Sequence, residues 1–434
     1  MTAGSVALLG AAAAIMSFGS LFKLHALLRA VSYRPRVPDA PTPDAAATRF
    51  SFALLVPAHD EPDVLGVALR GLALVDHPEV EIVAVVDPAD DGGTLAAARQ
   101  AASLHPGRVS VFLEPPGTHR KPAALNAAVA GRTQDMIGVF DADGLVSPDL
   151  LRVVEDLFAR HDLDALQTGN QAVAAKPNWY QLHNIAEYRW MFLSTATRRP
   201  DSHRVVRLSG NSVFLRAETL RKIGGWRPDQ LAEDCDLSLR LALARARTMT
   251  WYEDSLVTIE QVPPGPASFV RQRTRWNQGF IQVLRGSEWV SLPWRQRLGF
   301  LRVLLEAPAR ALALPALLLG VGLAGSSLAN LLIVAPPTAL GILNTGLLTV
   351  ILSRLPERFG VRVRFREHLK LWVFAPAFQG LLSLAAVRAL WRTARGDTAW
   401  EKTAHTTVLP ASAAFSQSRQ ETPAPRYDGG GRSR

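Results

Sequence analysis

The chain has 434 residues, a formal net charge of +10, a single cysteine and a mean hydropathy of +0.08 although 20% of its residues are charged. The lone Cys235 excludes a disulfide framework and a cysteine-built zinc site, and it reads as a small buried residue. Basic residues gather beside apolar runs at 29–36, 295–310, 354–370 and 388–402, which is the distribution of membrane flanks and not of a nucleic-acid groove. The expected partners therefore include a lipid membrane and no nucleic acid, and the basic surface would attract an anionic substrate.

Residues 1–22 carry no charged side chain, and Lys23, Arg29, Arg34 and Arg36 follow. A cleaved leader has its positive charge first, so this order predicts an uncleaved anchor over 1–31, N-terminus outside and flank in the cytoplasm. A Pro/Asp/Ala-rich linker is expected over 32–49. Short β-rich runs at 52–57, 80–87, 109–113 and 136–141 then alternate with helically periodic stretches at 64–73, 94–104 and 123–130. This alternation predicts a mostly parallel sheet inside a domain over 50–285. Ligands of such sheets bind beyond the carboxyl ends of the strands, where acidic residues of this chain fall. Interfacial helices are expected over 286–309 and a membrane bundle over 310–392. No charged residue lies between Arg310 and Arg354, which leaves room for two spans with Pro336-Pro337 as their turn, and 371–391 is a further apolar segment. The tail, 393–434, ends in a Ser, Gln, Pro, Gly and Arg composition that predicts disorder. With the N-terminus outside, four spans would leave 400–405 outside, whereas Arg392, Arg395 and Lys402 favour the inside. Either 371–391 is re-entrant or interfacial, or the tail is external; the sequence leaves both open.

Asp141-Ala142-Asp143 follows an apolar run and precedes Gly144. Two carboxylates so placed can face one hard cation, Mg2+ or Mn2+, that neutralises a diphosphate, although the same residues also make ordinary turns. Asp87 closes 80–86 ahead of Asp90 and Asp91; it could accept a nucleobase N–H or touch a ribose hydroxyl, or belong to a solvated loop. Asp60 and Glu61 close the first run, where acidic residues also suit a helix start, and His59 reads as a loop residue. Lys121 opens a helix against the macrodipole, which a bound phosphate or solvent would offset. Glu233-Asp234 opens another helix; Asp234 is either its cap or a base that deprotonates an acceptor hydroxyl. Helical spacing puts Gln272, Arg275 and Trp276 on one face, suited to a diphosphate and a sugar ring. A membrane-surface belt of Arg and Trp gives the same composition, and Trp289, Trp294, Arg295 and Arg297 continue it.

In this order the motifs resemble the family 2 glycosyltransferases, in particular membrane-bound members such as bacterial cellulose, hyaluronan and poly-N-acetylglucosamine synthases. The pieces that match are Val56-Pro57-Ala58-His59-Asp60-Glu61, Asp87, Lys121-Pro122-Ala123-Ala124-Leu125-Asn126, Asp141-Ala142-Asp143, Gly210-Asn211, Gly224-Gly225-Trp226, Glu233-Asp234, Gln272-Arg273-Thr274-Arg275-Trp276 and Trp400-Glu401-Lys402-Thr403-Ala404-His405. The resemblance covers about 52–405. It implies an α/β GT-A fold, a Rossmann-like mixed sheet flanked by transmembrane helices, and inverting transfer from a nucleotide-diphospho-sugar, usually UDP-linked. It further implies that Asp60 and Asp87 contact the nucleoside and that Lys121 lies near the nucleotide. Asp143, helped by Asp141, would hold Mg2+ or Mn2+ on the diphosphate. Asp234 would be the base, with Glu233 beside it against the substrate, and Gln272, Arg275 and Trp276 would cradle the pyrophosphate and the acceptor sugar. The chain departs from the common pattern at Ala232, where many members have Thr, at His59-Asp60-Glu61, and in the run after Asp87.

The resulting expectation is a multi-pass enzyme of the plasma membrane with its catalytic domain in the cytoplasm, extending a polysaccharide or another glycan. Its rivals are a transferase that adds one sugar to a lipid carrier, which often lacks the Gln-x-x-Arg-Trp element, and a catalytically silent scaffold or accessory subunit. The bundle is short for a complete pore, so a second copy or an accessory export subunit is an expected partner. No Gly-x-Gly-x-x-Gly follows the first β-run, which argues against a dinucleotide enzyme.

Overall fold

The computed structural model describes residues 3–34, 49–90, 92–116, 120–174, 176–196, 205–324, 327–399 and 401. Most of the expected linker, Asp91, Trp400 and 402–434 lie outside these residues. The chain opens with helix α1 (Ala3–Ser32) and then alternates strand and helix: β1 (Phe52–Ala58), α2 (Pro62–Ala73), β2 (Val80–Val86), α3 (Thr94–Leu104), β3 (Val109–Leu113), α4 (Lys121–Val129), β4 (Met136–Val139) and α5 (Leu150–His161). The pattern then loosens into β5 (Ala165–Thr168), β6 (Asn170–Val173), α6 (Trp179–Thr195), β7 (Val213–Arg216), α7 (Ala217–Lys222), α8 (Glu233–Leu243), β8 (Thr248–Trp251), β9 (Thr258–Gln261) and α9 (Pro266–Arg285).

Seven strands form one sheet in the order β3-β2-β1-β4-β7-β5-β8, with β1 to β4 parallel and β7 antiparallel to both of its neighbours. β1 is apolar and buried on both faces, as a strand between two helical layers must be. Phe52, Leu54 and Val56 pack toward α2, α3 and α5, while Ala53 and Leu55 pack toward α4 and α8. The strand order reverses between β1 and β4, so the chain leaves these two carboxyl ends in opposite directions and opens a crevice. β6 and β9 make a separate parallel ribbon, joined to the loop after β4 by the Leu145–Ile259 bridge.

Beyond the sheet lie α10 (Trp294–Ala324), α11 (Leu328–Ser353), α12 (Phe365–Val373) and α13 (Ala375–Ala394). α1, α10 and α11 are each long and apolar enough to cross a membrane, and α12 with α13, bent by 52° at a break, would count as a fourth span if taken together. Leu27 of α1, Leu182 and Ile185 of α6, Leu348, Ile351 and Leu352 of α11 and Leu371 of α12 form one buried cluster, so α6 fastens these helices to the sheet domain. Buried Arg189 of α6 reinforces it, bonding Asp254 at 2.7 Å, the Tyr252 hydroxyl at 3.0 Å and the Arg354 carbonyl at 2.9 Å.

Two expectations are corrected. Pro336-Pro337 is no turn: both prolines lie inside α11, and the Thr338 hydroxyl donates to the Val334 carbonyl at 2.8 Å beside them. Prolines are tolerated inside long apolar helices of this kind. The break falls instead before Leu328, where the Ser327 side chain caps the Asn330 N–H. The boundary expected between 309 and 310 falls within α10, a single helix from Trp294.

β4 crosses the centre of the sheet at Gly138, where an added Cβ would sit 2.6 Å from Leu54 Cδ2 and 3.2 Å from the Phe214 ring. Both neighbours are fully buried and have nowhere to go. Gly138→Val is expected to destabilise the domain by about 1–3 kcal/mol, read as a lowered thermal midpoint of the detergent-solubilised protein; an unchanged midpoint would contradict this packing.

Candidate active site

The carboxyl ends of β1 to β4 deliver His59, Glu61, Asp87, Glu114, Asp141 and Asp143 to one cleft of about 340 Å³. Lys121 from the start of α4, Glu233 and Asp234 from the start of α8, and Gln272, Arg275 and Trp276 from α9 close it. Of the ten residues given a substrate, metal or base role in the sequence, Asp60 alone is not among the lining residues. It is exposed in a left-handed conformation (φ 53°), and its N–H donates to Asp90 while its neighbours His59 and Glu61 face inward.

Lys121 sits between the two acidic motifs. Its Nζ lies 2.6 Å from Asp141 Oδ1, 2.9 Å from the Gly210 carbonyl and 3.6 Å from Glu233 Oε1. Burial by itself lowers an ammonium pKa, but Asp141 and Glu233 outweigh it and hold Lys121 above its ordinary value. Two motifs set this position. Asn126, on the same helix, brackets Trp226 by accepting its N–H at 2.9 Å and donating to its carbonyl at 2.6 Å. Gly225 (φ 70°) makes that approach possible, because a Cβ there would meet Asn126 Oδ1 at 2.4 Å. The Gly224-Gly225-Trp226 turn is thus a clamp on α4.

Asp234 does not cap its helix; the capping position is Ala232, without a side-chain bond. Its Oδ1 accepts the Cys235 N–H at 2.7 Å, and burial followed by the adjacent Glu233 raises its pKa to about 6. A carboxylate poised there is suited to take a proton near neutral pH. Cys235 itself is buried, and burial pushes its thiol up.

A third acidic residue stands behind Asp141 and Asp143. Glu260, on β9, accepts from Asn211 at 2.9 Å, and its pKa is raised to about 8 by burial and by Asp143. Asn211 also accepts the Asp141 N–H at 3.1 Å, and Asp143 accepts the Gln261 N–H at 3.1 Å. The lobe therefore crowds three carboxyl groups so closely that one of them is pushed toward its neutral form, and its hard oxygens fit Mg2+ or Mn2+. Among the described residues no three His, Cys, Asp or Glu side chains are arranged to hold an ion by themselves. Asp141 and Asp143 could hold one whose remaining positions are filled by phosphate oxygens and water, which Mg2+ in particular accepts.

The α9 face is assembled as helical spacing requires. Gln272, Arg275 and Trp276 face the cleft, while Arg273 turns away to Glu187 at 2.7 Å with its guanidinium 4.5 Å from the Trp276 ring. Gln272 Oε1 is buried with no hydrogen-bond donor among the described residues, an acceptor left for a ligand. One turn on, Gly279 rests on Ala232, and a Cβ there would lie 2.3 Å from the Ala232 Cβ. Small residues on both sides thus set the gap between the α9 face and Asp234.

Glu114, Glu260, Tyr188 and Arg207 also line the cleft and escaped the sequence reading. Glu114 closes the third β-run as Asp87 closes the second, so the repeat itself was the signal. Glu260 is a lone acid in a short, mostly polar strand; Tyr188 and Arg207 carry no local signal.

A family model described as "Glycosyltransferase like family 2" matches residues 49–279. The beta-monoglucosyldiacylglycerol synthase of Synechocystis sp. is 29% identical over 279 residues, 62% of this chain and 57% of that protein. The poly-beta-1,6-N-acetyl-D-glucosamine synthase of Staphylococcus epidermidis is 22% identical over 241 residues, 55% of this chain and 57% of that protein. The chain thus matches little more than half the length of either relative. Among solved structures, the mannosyltransferase PcManGT of Pyrobaculum calidifontis, in complex with GDP-Man and Mn2+, superposes with a TM-score of 0.60 at 21% identity, over 88% of this chain and 99% of that one. The likeness establishes the GT-A fold.

Gly279→Ala must push α9 off Ala232. Glycosyl transfer is expected to fall about 100-fold, the usual consequence of an ångström-scale misplacement, with a lowered thermal midpoint, since the overlap with Ala232 also costs about 1–3 kcal/mol. Undiminished transfer would show that this contact does not set the gap.

Proposed function

The chain belongs to the family 2 glycosyltransferases, and we propose that it is a membrane-embedded, inverting enzyme that moves a sugar from a UDP-sugar to a hydroxyl of a glycan acceptor. One observation carries this reading: a carboxylate raised to about 6, Asp234, lies in the same cleft as the Asp141–Asp143 lobe and the Gln272–Arg275–Trp276 face. Asp87 takes the nucleoside, with Asp60 in the rim loop beside it. Lys121 and Arg275 approach the diphosphate, and Trp276 and Gln272 receive the acceptor sugar with Glu233 alongside. A divalent ion, Mg2+ or Mn2+, held by Asp141 and Asp143, would supply charge neutralisation of the leaving diphosphate.

The chemistry is a single displacement. Asp234 takes the proton of the acceptor hydroxyl as its oxygen bonds to the anomeric carbon. The bond from that carbon to the diphosphate oxygen breaks, and nucleoside diphosphate leaves with the electron pair. Attack opposite the leaving group inverts the anomeric centre. The aromatic and guanidinium face on α9 suits a glycan end, and hence repeated addition to a polysaccharide. A second reading, one addition to a lipid, is favoured by the 29% identical relative, named for a glucosyl lipid. In either case the catalytic domain lies on the cytoplasmic side of a multi-pass plasma-membrane protein, with a second copy or an export subunit completing any translocation path.

The detergent-purified protein is expected to release UDP from one member of a UDP-sugar panel when Mg2+ or Mn2+ is present, and EDTA is expected to stop it. Asp234→Asn should lower the rate by about 10²–10⁴-fold while retaining UDP binding; turnover like that of the unaltered protein would remove Asp234 as the base. Because the base must be ionised, kcat should decline as pH falls through about 6, and a rate flat across that range contradicts the assignment. Activity that persists in EDTA would remove the metal role of Asp141 and Asp143.

A further inference from the structure

α12 and α13 together are long and apolar enough for a span, yet their contacts keep them beside the sheet domain from end to end. At the start of α13 the Phe374 ring stacks on Trp179 with centroids 5.3 Å apart, and Phe378 stacks on His183 at 4.6 Å, both partners on α6. The helix then follows α9. Phe378 lies 5.5 Å from Phe269, the Thr274 hydroxyl donates to the Ala385 carbonyl at 3.4 Å, and the Gln278 amide donates at 2.8 Å to the carbonyl of Asp397, just past the end of α13. One residue on, the Thr398 carbonyl accepts from Arg120, which lines the cleft. A helix of 20 residues is about 30 Å long, the thickness of a hydrocarbon core. Crossing would carry one end of α13 that far from the domain, whereas both ends touch it. Midway, the Ser383 hydroxyl donates at 3.2 Å to the carbonyl of Arg310, the last charged residue of α10 before the uncharged stretch to Arg354. α13 therefore passes α10 where that helix enters the apolar layer.

The faces turned away from the domain are apolar and uncovered by any described residue. On α12, Phe365, Leu369, Trp372 and Val373 share one side of the helix and are exposed, Phe365 by 82%, while Glu367 and Leu371 on the other side are buried. α13 repeats the pattern with exposed Leu384, Val387 and Trp391 opposite buried Leu382, Ala385 and Ala389. Six basic residues and two acidic ones fall between 354 and 370, and Arg362, Arg364 and Arg366 are exposed around the start of α12. Of the two acids, Glu367 is taken up by the Arg366 guanidinium at 2.8 Å and the Arg364 N–H at 3.1 Å. An apolar stripe rimmed by cations suits a helix lying in the surface of an anionic bilayer. A second copy of this chain would bring the same cations and be repelled. We propose that α12 and α13 lie flat on the domain side of the bilayer and do not cross it, with the four apolar residues of α12 in the acyl boundary and its arginines on anionic lipid headgroups. α1, α10 and α11 are then the spans, and the tail stays on the side of the cleft, where Arg392 and Arg395 also favour it. α13 becomes the layer between the lipid and α9. This rests on α1, α10 and α11 crossing a membrane and is independent of the chemistry assigned to the cleft.

The test uses the full chain in vesicles of phosphatidylcholine with and without phosphatidylglycerol, and the unaltered protein, whose one thiol is buried, is the blank. A fluorophore is placed at the exposed positions Leu369→Cys, Val387→Cys and, as a reference inside a span, Ile342→Cys. Quenchers fixed at the lipid headgroup should reach positions 369 and 387 more than quenchers at the acyl-chain end, and position 342 should show the reverse. Phosphatidylglycerol should strengthen headgroup quenching at 369, and Arg362→Gln together with Arg366→Gln should abolish that gain. Chain-end quenching at 387 like that at 342 would mean a crossing helix. No quenching at 369 would mean a surface covered by protein, and a signal indifferent to phosphatidylglycerol would remove the anionic partner. Each of these overturns the inference and leaves the transferase reading in place. A second measurement needs no label in α12 or α13. In sealed inside-out membrane vesicles, an impermeant maleimide should modify a cysteine added after Arg434 and Ser103→Cys of the sheet domain alike, Ser103 being exposed. Modification of Ser103→Cys alone would overturn the inference. Modification of both only in right-side-out vesicles would support it while reversing the cytoplasmic side proposed for the domain.

Discussion

An ammonium group enclosed by carboxylates from two distant motifs organises this cleft. Lys121 reaches Asp141, at the end of a central strand, and Glu233, at the start of α8. Without it the strand-end acids and the α8 acids would face each other uncompensated across the crevice. Its own helix start offers it nothing, since a cation there opposes the macrodipole. The position is instead imposed by the sheet on one side and by the Asn126–Trp226 clamp on the other. In this state Lys121 stands as a cation against Asp141, close to where a divalent ion would bring its own charge. Binding of a donor with its metal would therefore redistribute the lysine toward the diphosphate, a change of partners within a fixed frame.

The frame was largely legible in the sequence because it rests on short-range regularities. Apolar runs separated by helical periods fix a parallel sheet, and an acidic residue at the end of such a run falls at the ligand-binding edge. Helical spacing likewise put Gln272, Arg275 and Trp276 on one face. What was not legible depends on tertiary contact. Glu260 becomes part of the acidic lobe only because β9 leaves the main sheet and pairs with β6. The resemblance gives Asp60 the nucleoside contact and the sequence makes His59 a loop residue, whereas a left-handed backbone at Asp60 leaves it out of the lining while His59 and Glu61 line the cleft. Pro336-Pro337 looked like a turn because proline breaks helices in water, whereas the Gly325-Ser326-Ser327 run that precedes Leu328 carried the better stop signal.

The departures from the family pattern also acquire physical content. Ala232, where many relatives carry Thr, leaves room for α9 to seat Gly279 directly on it. Glu114, at the end of the neighbouring strand, places a second carboxyl at the same end of the cleft as Asp87. The long apolar helices are no separate module in this arrangement. α6 is buried at once against the ribbon, α1 and α11, and it also contributes Tyr188, Met191 and Phe192 to the cleft wall. Movement of these helices would therefore be felt at that wall of the cleft.

A structure of the protein with a bound UDP-sugar and Mn2+ tests the central claim most directly, that one cleft at the β1–β4 crevice both binds the donor and carries the base. The account predicts the diphosphate between Asp143 and Arg275, the ion on Asp141 and Asp143, and Asp234 facing the open side of the anomeric carbon. A nucleotide seated elsewhere, or in this cleft with Asp234 turned away from the sugar, would contradict it.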